Sequence, residues 1–188
     1  HELKTPVTSL KAYVQLLDMD LGEGAENKRK MMLSKIDSQI DKLTTLINDL
    51  LDTSKMQQGK LVYNKMFFEL NALVNEVIEE IQTGRTGSQK IIFNSLSSLK
   101  VYSDRERIGQ VLSNFLSNAS KYRSGCESII VNHEEVDNMA VCSVQDFGEG
   151  IKKDQQEKIF ERFYRVKGKN LHTYPGMGLG LFISKEIM

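Results

Sequence analysis

Two glycine clusters near the end of the chain have the residue types and spacing of a phosphate-binding site. Residues 146–150 read Asp-Phe-Gly-Glu-Gly, and residues 176–180 read Gly-Met-Gly-Leu-Gly. Glycine lets the backbone approach a ligand without a Cβ in the way. The second cluster leads into an apolar run that predicts a helix, and the free N–H groups at a helix N-terminus favour anions. The two clusters together therefore predict a ligand that carries phosphate.

Asp146 adds a preference for the base of that ligand. It follows the apolar run 139–144, which predicts a strand, so we expect its carboxylate at the end of a strand. An ionised carboxylate only accepts hydrogen bonds, which suits a ligand with an exocyclic amine, such as adenine. Asp146 beside a phosphate cradle therefore indicates an adenine nucleotide.

Three better-known motifs are excluded. Residues 146–148 spell the Asp-Phe-Gly of eukaryotic protein kinases, but the Val-Ala-Ile-Lys, His-Arg-Asp and Ala-Pro-Glu motifs of that class are absent. Residues 176–180 lack the spacing and the acidic partner of a dinucleotide-binding fingerprint, and no Walker sequence occurs. An ordinary turn would explain either glycine cluster alone. Two clusters that flank one polar loop favour a binding function.

The helix predicted after Asp104 carries an unusual polar stripe, formed by Gln110, Asn114, Asn118 and Lys121. Asn114 and Asn118 are four residues apart and share a face of the helix. A solvated face is the alternative explanation, but such faces usually carry Glu and Lys, which are better helix formers than Asn. Neutral amide oxygens suit a Mg²⁺ ion that arrives already bound to phosphates, and Lys121 would neutralise phosphate charge.

The composition limits the other functions that the chain can have. It has 188 residues, 25 of them basic and 25 acidic, so no net charge attracts it to nucleic acid or to an anionic membrane. Cys126 and Cys142 lie in apolar strand-like runs, which predicts no disulfide framework and fits a reducing cytoplasm. No apolar run reaches the roughly 18 residues of a membrane span. We expect a cytoplasmic part of a longer protein, without membrane contact of its own; missing segments could anchor the whole protein.

Apolar residues four and three apart mark two long helices in the first third of the chain. The two seams consist of Leu3, Val7, Leu10, Val14, Leu17 and Leu21, and of Met32, Ile36, Ile40, Leu43, Ile47 and Leu50. With the turn at 21–27 they predict an antiparallel helical hairpin. Because two helices leave apolar surface exposed, a homodimeric four-helix bundle is the expected completion. The alternative is a hairpin that packs on its own second domain.

His1 lies two residues before the first seam position, about 200° around the helix, and should therefore point away from the core. Thr5 shares its face. Pro6 leaves two alternatives open at this point. Thr5 and Pro6 could begin the helix as cap and first residue, or Pro6 could kink a longer helix.

After Gly59 the pattern changes to alternating strands and helices. Strands are predicted at 61–63, 66–68, 90–94 and 101–103, helices at 70–81 and after Asp104, and a hairpin from 129–131 and 139–144 around 135–138. This mixture predicts an α+β domain, a two-layer sandwich of helices on a sheet. We expect a helical domain at 1–58, a linker at 59–63 and the sandwich domain at 64–188.

The order of these motifs resembles the catalytic core of sensor histidine kinases of two-component signalling, over essentially the whole chain. Residues 1–6 match the phosphoacceptor box, 110–121 the asparagine box, 146–150 the first glycine box, 160–163 the phenylalanine box, and 176–180 the second glycine box. The resemblance implies a Bergerat-type ATP-binding fold joined to a dimerising helical bundle. The family continues past this point with more helix and strands, so the ATP-binding domain is expected to be C-terminally incomplete.

The resemblance also implies a role for each matching residue. His1 would accept the γ-phosphoryl group of ATP, Glu2 would take its proton, Arg165 would reach the γ-phosphate, and Thr5 would serve a reverse phosphatase reaction. Asn118 would hold Mg²⁺. The residues implied to bind ATP are Asn114, Asn118, Lys121, Tyr122, Asp146, Gly148, Gly150, Ile151, Gly176, Gly178, Leu179 and Gly180.

The family's architecture further implies a mobile lid and a protein partner. The lid would span about 163–175, with Phe160 and Phe163 either anchoring it or simply filling the core. The phosphoryl group would pass to an aspartate of a response regulator receiver domain, which we expect to dock around Leu10, Lys11, Tyr13 and Val14. Whether the transfer to histidine occurs within or between subunits stays open.

Two other functions are compatible with the ATP-binding motifs. ATPase chaperones, type II topoisomerases and mismatch-repair proteins share the fold but carry a Glu one turn before the metal-binding Asn. Asn114 stands at that position here, which favours phosphoryl transfer over hydrolysis. A non-catalytic dimerisation scaffold is the third possibility, and the intact motifs argue against it.

Overall fold

A computed structural model describes residues 2–18, 25–83, 90–95, 97–122, 128–166 and 176–188. The chain begins with a helical hairpin, in which α1 (Lys4–Asp18) packs against α2 (Glu26–Gln57). Pro6 is buried in the first turn of α1. Because the N–H groups of a first helical turn have no partner within the helix, proline is tolerated there. His1 and Leu21 lie outside the described residues.

The predicted seam of this hairpin is only partly covered. Val7, Val14, Ile40 and Ile47 each expose between 44% and 54% of their surface, although all four occupy seam positions. The hairpin therefore presents an apolar stripe along most of its length, and its own second domain does not cover that stripe. In the described part of the chain, no helix combines the length and the apolar character needed to cross a bilayer.

The second part of the chain forms two small sheets with helices on one side. Its elements are β1 (Lys65–Glu69), α3 (Leu70–Thr83), β2 (Ile91–Ser95), β3 (Lys100–Asp104), α4 (Arg105–Lys121), β4 (Ile129–Val136), β5 (Met139–Gln145), the 3-10 turns Lys153–Gln155 and Lys158–Phe160, and α5 (Gly180–Ile187). β1 pairs antiparallel with β3. β2 runs parallel to β4, which pairs antiparallel with β5.

One predicted strand is wrong. Residues 61–63 have no strand partner and form an extended linker instead. Val62 is 85% exposed, and Tyr63 reaches α5, where its hydroxyl donates to the Glu186 carbonyl at 3.2 Å. The apolar run that suggested a strand therefore bridges two domains rather than entering a sheet.

The core of the second domain is one apolar layer between helices and strands. Leu116 of α4 and Val74 of α3 face Ile129 and Val131 of β4, and all four side chains are completely or almost completely buried. The predicted α+β sandwich is therefore confirmed. The β4–β5 hairpin closes with Asp137 and Asn138, which adopt positive φ values of 50° and 60°. These residue types tolerate the left-handed conformation that a two-residue hairpin turn requires.

Charged side chains connect the end of α2 to the start of α4. The guanidinium of Arg107 donates to both carboxylate oxygens of Asp52, at 2.5 and 3.1 Å, and Gln110 Nε2 donates to Asp52 Oδ2 at 3.2 Å. Burial raises the pKa of the Asp52 carboxyl, but the hydrogen bonds from Arg107 and Gln110 and the charge of Arg107 outweigh burial, so the net shift is downward. Asp52 is therefore held in its charged form.

Asp49, one turn before Asp52, behaves in the opposite way. Burial and the neighbouring charge of Asp52 raise its pKa to about 6, against the opposing attraction of Lys121. A carboxyl whose folded-state pKa is raised contributes stability that is complete below its unfolded pKa of 3.8 and is lost as the pH rises through about 6.

Replacement of Asp49 by Asn should therefore flatten the pH dependence of stability. Between pH 5 and pH 7.5 we expect the parent chain to lose roughly 1 kcal/mol relative to Asp49→Asn, after allowance for solvent screening of a partly exposed carboxyl. Thermal unfolding at the two pH values measures this difference. Asp37→Asn, at an exposed position of the same helix, is the control. An identical pH dependence in the parent chain and Asp49→Asn would contradict the assignment.

Candidate active site

Helix α4 supports the candidate site. Its N-terminus is capped by Asp104, whose Oδ1 accepts the Arg107 N–H at 3.1 Å. One face of the helix is buried in the core, so its rotation is fixed. The opposite face carries Asn114, Asn118 and Tyr122, which are four residues apart and partly exposed. This stripe is where the two glycine clusters meet the helix.

The first glycine cluster touches the C-terminal end of α4. β5 ends at Gln145, so Asp146 directly follows a strand, as predicted. The Asp146 carboxylate accepts the Gly148 N–H at 2.8 Å, which closes a tight turn. A Cβ on Gly148 would lie only 2.5 Å from the Tyr122 carbonyl oxygen. Glycine is therefore required at 148, and the turn brings Asp146 to the end of the polar stripe.

The second glycine cluster touches α4 two turns earlier. Asn114 Nδ2 donates to the Gly180 carbonyl at 3.1 Å and lies 3.3 Å from the hydroxyl oxygen of Ser184. A Cβ on Gly180 would lie 3.1 Å from Asn114 Oδ1. Asn114 therefore fastens the start of α5 to α4, and its amide nitrogen is engaged by protein rather than directed at a ligand.

The contacts of Gly148 with Tyr122 and of Gly180 with Asn114 lie on either side of the middle of the polar stripe. Asn114 and Tyr122 are eight residues apart, which is about 12 Å along a helix. Asn118 lies midway between them on the same face, and Lys121 is adjacent to the Tyr122 contact. Asn118 thus stands between the turn that holds Asp146 and the helix start that follows Gly178. The three predicted parts of the site converge on one helix.

The segment after the second 3-10 turn packs on the second glycine cluster. The Phe163 N–H donates to the Gly178 carbonyl at 3.1 Å, and a Cβ on Gly178 would lie 2.6 Å from the Tyr164 carbonyl oxygen. Gly178 has a φ of 70°, a conformation that glycine adopts without strain. The Phe163 side chain is 59% exposed, so a core role for it is excluded, whereas Phe160 is half-buried.

Arg165 connects this segment to the first residues of the chain. Its guanidinium lies 3.6 Å from a carboxylate oxygen of Glu2. Its Cγ lies so close to Gly178 that a Cβ added there would be 3.1 Å away. Glu2 is the neighbour of His1, which lies outside the described residues, as do residues 167–175 of the expected lid.

The remaining predicted site residues differ in their exposure. Thr5 is exposed in the first turn of α1, and Ile151 is exposed after Gly150, whose φ is 71°. Leu179 is buried just before α5, and Gly176 has open space around it.

The chemistry of these groups fits a nucleotide that brings its own cation. In the residues that the structure describes, no cluster of three or more His, Cys, Asp and Glu side chains is arranged to hold a metal ion. Mg²⁺ retains waters and phosphate ligands and needs only one or two from protein. The amide of Asn118, between an exposed carboxylate and a helix N-terminus, meets that need.

The sequence pattern placed Gln110 in the wrong group, and it did not indicate Asp52 or Ser184. Gln110 was grouped with the asparagine stripe, but its side chain lies against Asp52 of α2 and accepts a hydrogen bond from Arg107 at 2.8 Å. Asp52 and Ser184 were not predicted at all. Their signals in the sequence were weak. Asp52 lies three residues after Asp49 within the apolar end of α2, and Ser184 lies four residues after Gly180.

Two family profiles match this chain. The His Kinase A (phospho-acceptor) domain matches residues 1–59, and the histidine kinase-, DNA gyrase B- and HSP90-like ATPase family matches residues 103–188. The chain also aligns over its whole length with the sensor histidine kinase WalK of Bacillus subtilis (strain 168), at 33% identity over 196 residues. The chain belongs to the sensor histidine kinases. It spans 31% of the length of that WalK relative.

Solved histidine kinases share the fold of this sensor kinase core. The Acinetobacter baumannii histidine kinase AdeS superposes with a TM-score of 0.71 at 27% identity, covering all of this chain and 85% of that one. The histidine kinase ThkA, in complex with the response regulator protein TrrA, superposes with a TM-score of 0.62 at 26% identity, covering 89% of this chain and 49% of that one. The predicted helical hairpin followed by an ATPase-type sandwich is confirmed.

Substitution of Gly148 by Ala should damage the site of this kinase core, whereas Gly109→Ala, outside the proposed site, should not. The Cβ at 148 would collide with the Tyr122 carbonyl, while at 109 it would meet only the end of the Leu73 side chain, at an ordinary contact distance of 3.4 Å. Overpacking of this kind costs about 1–3 kcal/mol. We expect Gly148→Ala to unfold at lower temperature and to bind an ATP analogue at least about tenfold more weakly. Calorimetric titration and thermal unfolding measure both effects. Equal behaviour of the two variants would contradict the close contact.

Proposed function

We propose that this chain transfers the γ-phosphoryl group of ATP to its own His1 and then to an aspartate of a response regulator. The observation that carries the proposal is the position of Arg165, which contacts Gly178 on one side and Glu2 on the other. One side chain thus joins the expected phosphate cradle to the residue beside the expected phosphoacceptor. Membership of the histidine kinase family supports the same reaction.

In the proposed complex, Asp146 binds the adenine amine and the backbone of the second glycine cluster binds the phosphates. The first intrahelical bond of α5 runs from the Ile183 N–H to the Leu179 carbonyl, so the preceding N–H groups are available to anions. Lys121, Gly176, Gly178 and Gly180 then lie on the phosphate side. Gly148, Gly150, Ile151 and Tyr122 shape the base side.

Asn118 and Asn114 have different proposed roles. Asn118 supplies the protein ligand to Mg²⁺, which neutralises phosphate charge when bound. Asn114 and Leu179 act indirectly, because the Asn114 amide holds the Gly180 carbonyl and Leu179 is buried under the start of α5. These contacts keep the phosphate-binding N–H groups in position.

The proposed transfer is an in-line displacement on the γ-phosphorus. A neutral imidazole nitrogen of His1 forms the new N–P bond, the bond to the bridging oxygen breaks, and ADP leaves with those electrons. Glu2 accepts the proton from the other ring nitrogen. Because Arg165 pairs with Glu2 before transfer, its movement to the γ-phosphate would release the carboxylate to act as base.

Dimerisation through the helical hairpin completes the proposal. The half-exposed seam of Val7, Val14, Ile40 and Ile47 forms an apolar stripe that a second copy of the chain would bury. We therefore propose a dimerisation and phosphoacceptor unit at 1–58, a linker at 59–63 and an ATP-binding unit at 64–188. Use of ATP supports a cytoplasmic placement of both units.

The proposed phosphate acceptor beyond His1 is the receiver domain of a response regulator. The solved relative ThkA is in complex with such a regulator. The expected docking surface around Leu10, Lys11, Tyr13 and Val14 lies on α1, where Lys11 is exposed; Val14 lies at its border with the proposed dimer seam. Thr5 lies on the same helix, a position that supports a role in the reverse phosphatase reaction.

ATP hydrolysis as the main reaction is disfavoured by Asn114. Hydrolytic relatives need a carboxylate there to activate water, and an amide that donates to Gly180 and contacts Ser184 is not a base. A non-catalytic scaffold would have no use for a polar stripe and two glycine segments that meet on one helix, so their presence favours a nucleotide-binding role.

Replacement of His1 by Gln should abolish labelling of the chain by ATP labelled at the γ-position. The amide cannot form the N–P bond, while the nucleotide site is untouched. We expect unchanged affinity for an ATP analogue in a calorimetric titration. The label on the parent chain should be lost in acid and kept in base. Labelling of His1→Gln at the parent rate would remove the assignment of the phosphoacceptor.

Replacement of Asp146 by Asn should weaken ATP binding while leaving the turn intact. The Asn oxygen can still accept the Gly148 N–H, but its amide group presents a donor where the adenine amine needs an acceptor. We expect roughly tenfold weaker binding of an ATP analogue, the value of one lost hydrogen bond with an unpaired donor. Glu149→Gln removes an adjacent exposed carboxylate and is the matched control. Unchanged affinity of Asp146→Asn would contradict the adenine role.

A further inference from the structure

Arg107 forms a bidentate polar contact between the helical hairpin and the ATP-binding domain. Its guanidinium binds Asp52 through two nitrogens, and Gln110 completes a closed set of hydrogen bonds with both residues. Asp52 is 8% exposed, although it is charged. A bidentate arginine–carboxylate pair fixes orientation as well as distance. This set joins positions that are 55 residues apart in the chain.

The same turn of α4 also holds the linker. Asp104 Oδ1 accepts the Arg107 N–H, and its Oδ2 accepts the N–H of Asn64 at 2.8 Å. The hydroxyl of Tyr63 donates to the Glu186 carbonyl of α5. The end of α2, the linker and the two helices of the nucleotide site are therefore fastened to one another at one point.

This junction lies on the helix that connects the candidate nucleotide site to the hairpin. α4 carries Asn118 and, through Asn114, holds the start of α5, whereas the hairpin carries Glu2. Transfer needs reacting atoms at near-contact distance, and a displacement of about 1 Å can cost about a hundredfold in rate. A buried ion pair adds little net stability, but it penalises arrangements in which its charges are unpaired. The Asp52–Arg107 pair should therefore affect the orientation of the ATP-binding domain on the hairpin more than the stability of the chain.

We propose that Asp52 and Arg107 are positioning residues for phosphoryl transfer, forming an inter-domain latch that sets the ATP-binding domain on the helical hairpin. This role rests on the proposed kinase function. The latch touches neither the nucleotide nor the acceptor. Its loss therefore lowers the rate of the chemical step and leaves the binding of ATP unchanged.

The chain offers a matched control for the test. Arg105, two residues before Arg107, also binds a carboxylate through two nitrogens, but its partner is Glu76 of α3 in the same domain. Arg107→Gln and Arg105→Gln therefore remove the same chemical group from the same helix turn. Only the first removes a contact between domains.

Two measurements on these variants test the latch. We expect the kcat for self-labelling from ATP to fall at least about tenfold in Arg107→Gln, with KM and analogue affinity within about twofold of the parent values. Hydrogen exchange of residues 50–57, followed by mass spectrometry, should become faster in Arg107→Gln, because the end of α2 loses the two hydrogen bonds from the Arg107 guanidinium to Asp52. Arg105→Gln should match the parent chain in both.

A double variant separates the latch from general loss of stability. If Asp52 and Arg107 act as one pair, Asp52→Asn/Arg107→Gln should be no slower than the slower single variant, whereas independent effects would multiply. A fall in kcat that tracks thermal stability, or equal kcat in Arg107→Gln and Arg105→Gln, would overturn the proposal. If the parent chain takes up no phosphate, the kinase assignment fails by itself. Equal hydrogen exchange in the two single variants would then overturn the latch independently.

Discussion

Close contact between two glycine segments and the polar face of α4 is the constraint on which this structure depends. Gly148 lies against the Tyr122 carbonyl, and Gly180 lies against Asn114. The contact at Gly148 is possible only because glycine has no Cβ, and the contact at Gly180 would be tight with one. The buried face of α4 fixes the rotation of the helix, so Asn118, midway between the two contacts, lies on the same face as both of them. The site is thus a consequence of how one helix is packed from both sides.

The chain uses two kinds of surface for two kinds of association. The hairpin seam is apolar and half-exposed, which suits a lasting association. The junction between hairpin and sandwich contains instead two ion pairs, Asp52 with Arg107 and Glu2 with Arg165. Paired charges define orientation as well as distance. The junction is therefore suited to setting the geometry between the two domains, whereas the seam is suited to burying apolar surface.

Local sequence patterns predicted most of the helices and strands. They failed where the residues that contact a segment lie far from it along the chain. The heptad seams and the two-layer sandwich were predicted correctly because apolar periodicity follows directly from the geometry of helices and strands. Residues 61–63 have the composition of a strand but no neighbouring strand to pair with. Gln110 has the spacing of the asparagine stripe, but Asp52 engages it from another domain.

The sequence by itself determined the motifs, their order and the chemistry they can perform, since glycine, amide, carboxylate and imidazole groups carry their properties wherever they stand. The tertiary structure alone decided that Asn114 fastens α5, that β2 runs parallel to β4, and that Asp52 meets Arg107. The physical reason is that such contacts depend on the rotation and crossing of packed elements. No local run of residues encodes these quantities; they arise only when the apolar faces of the whole chain are buried together.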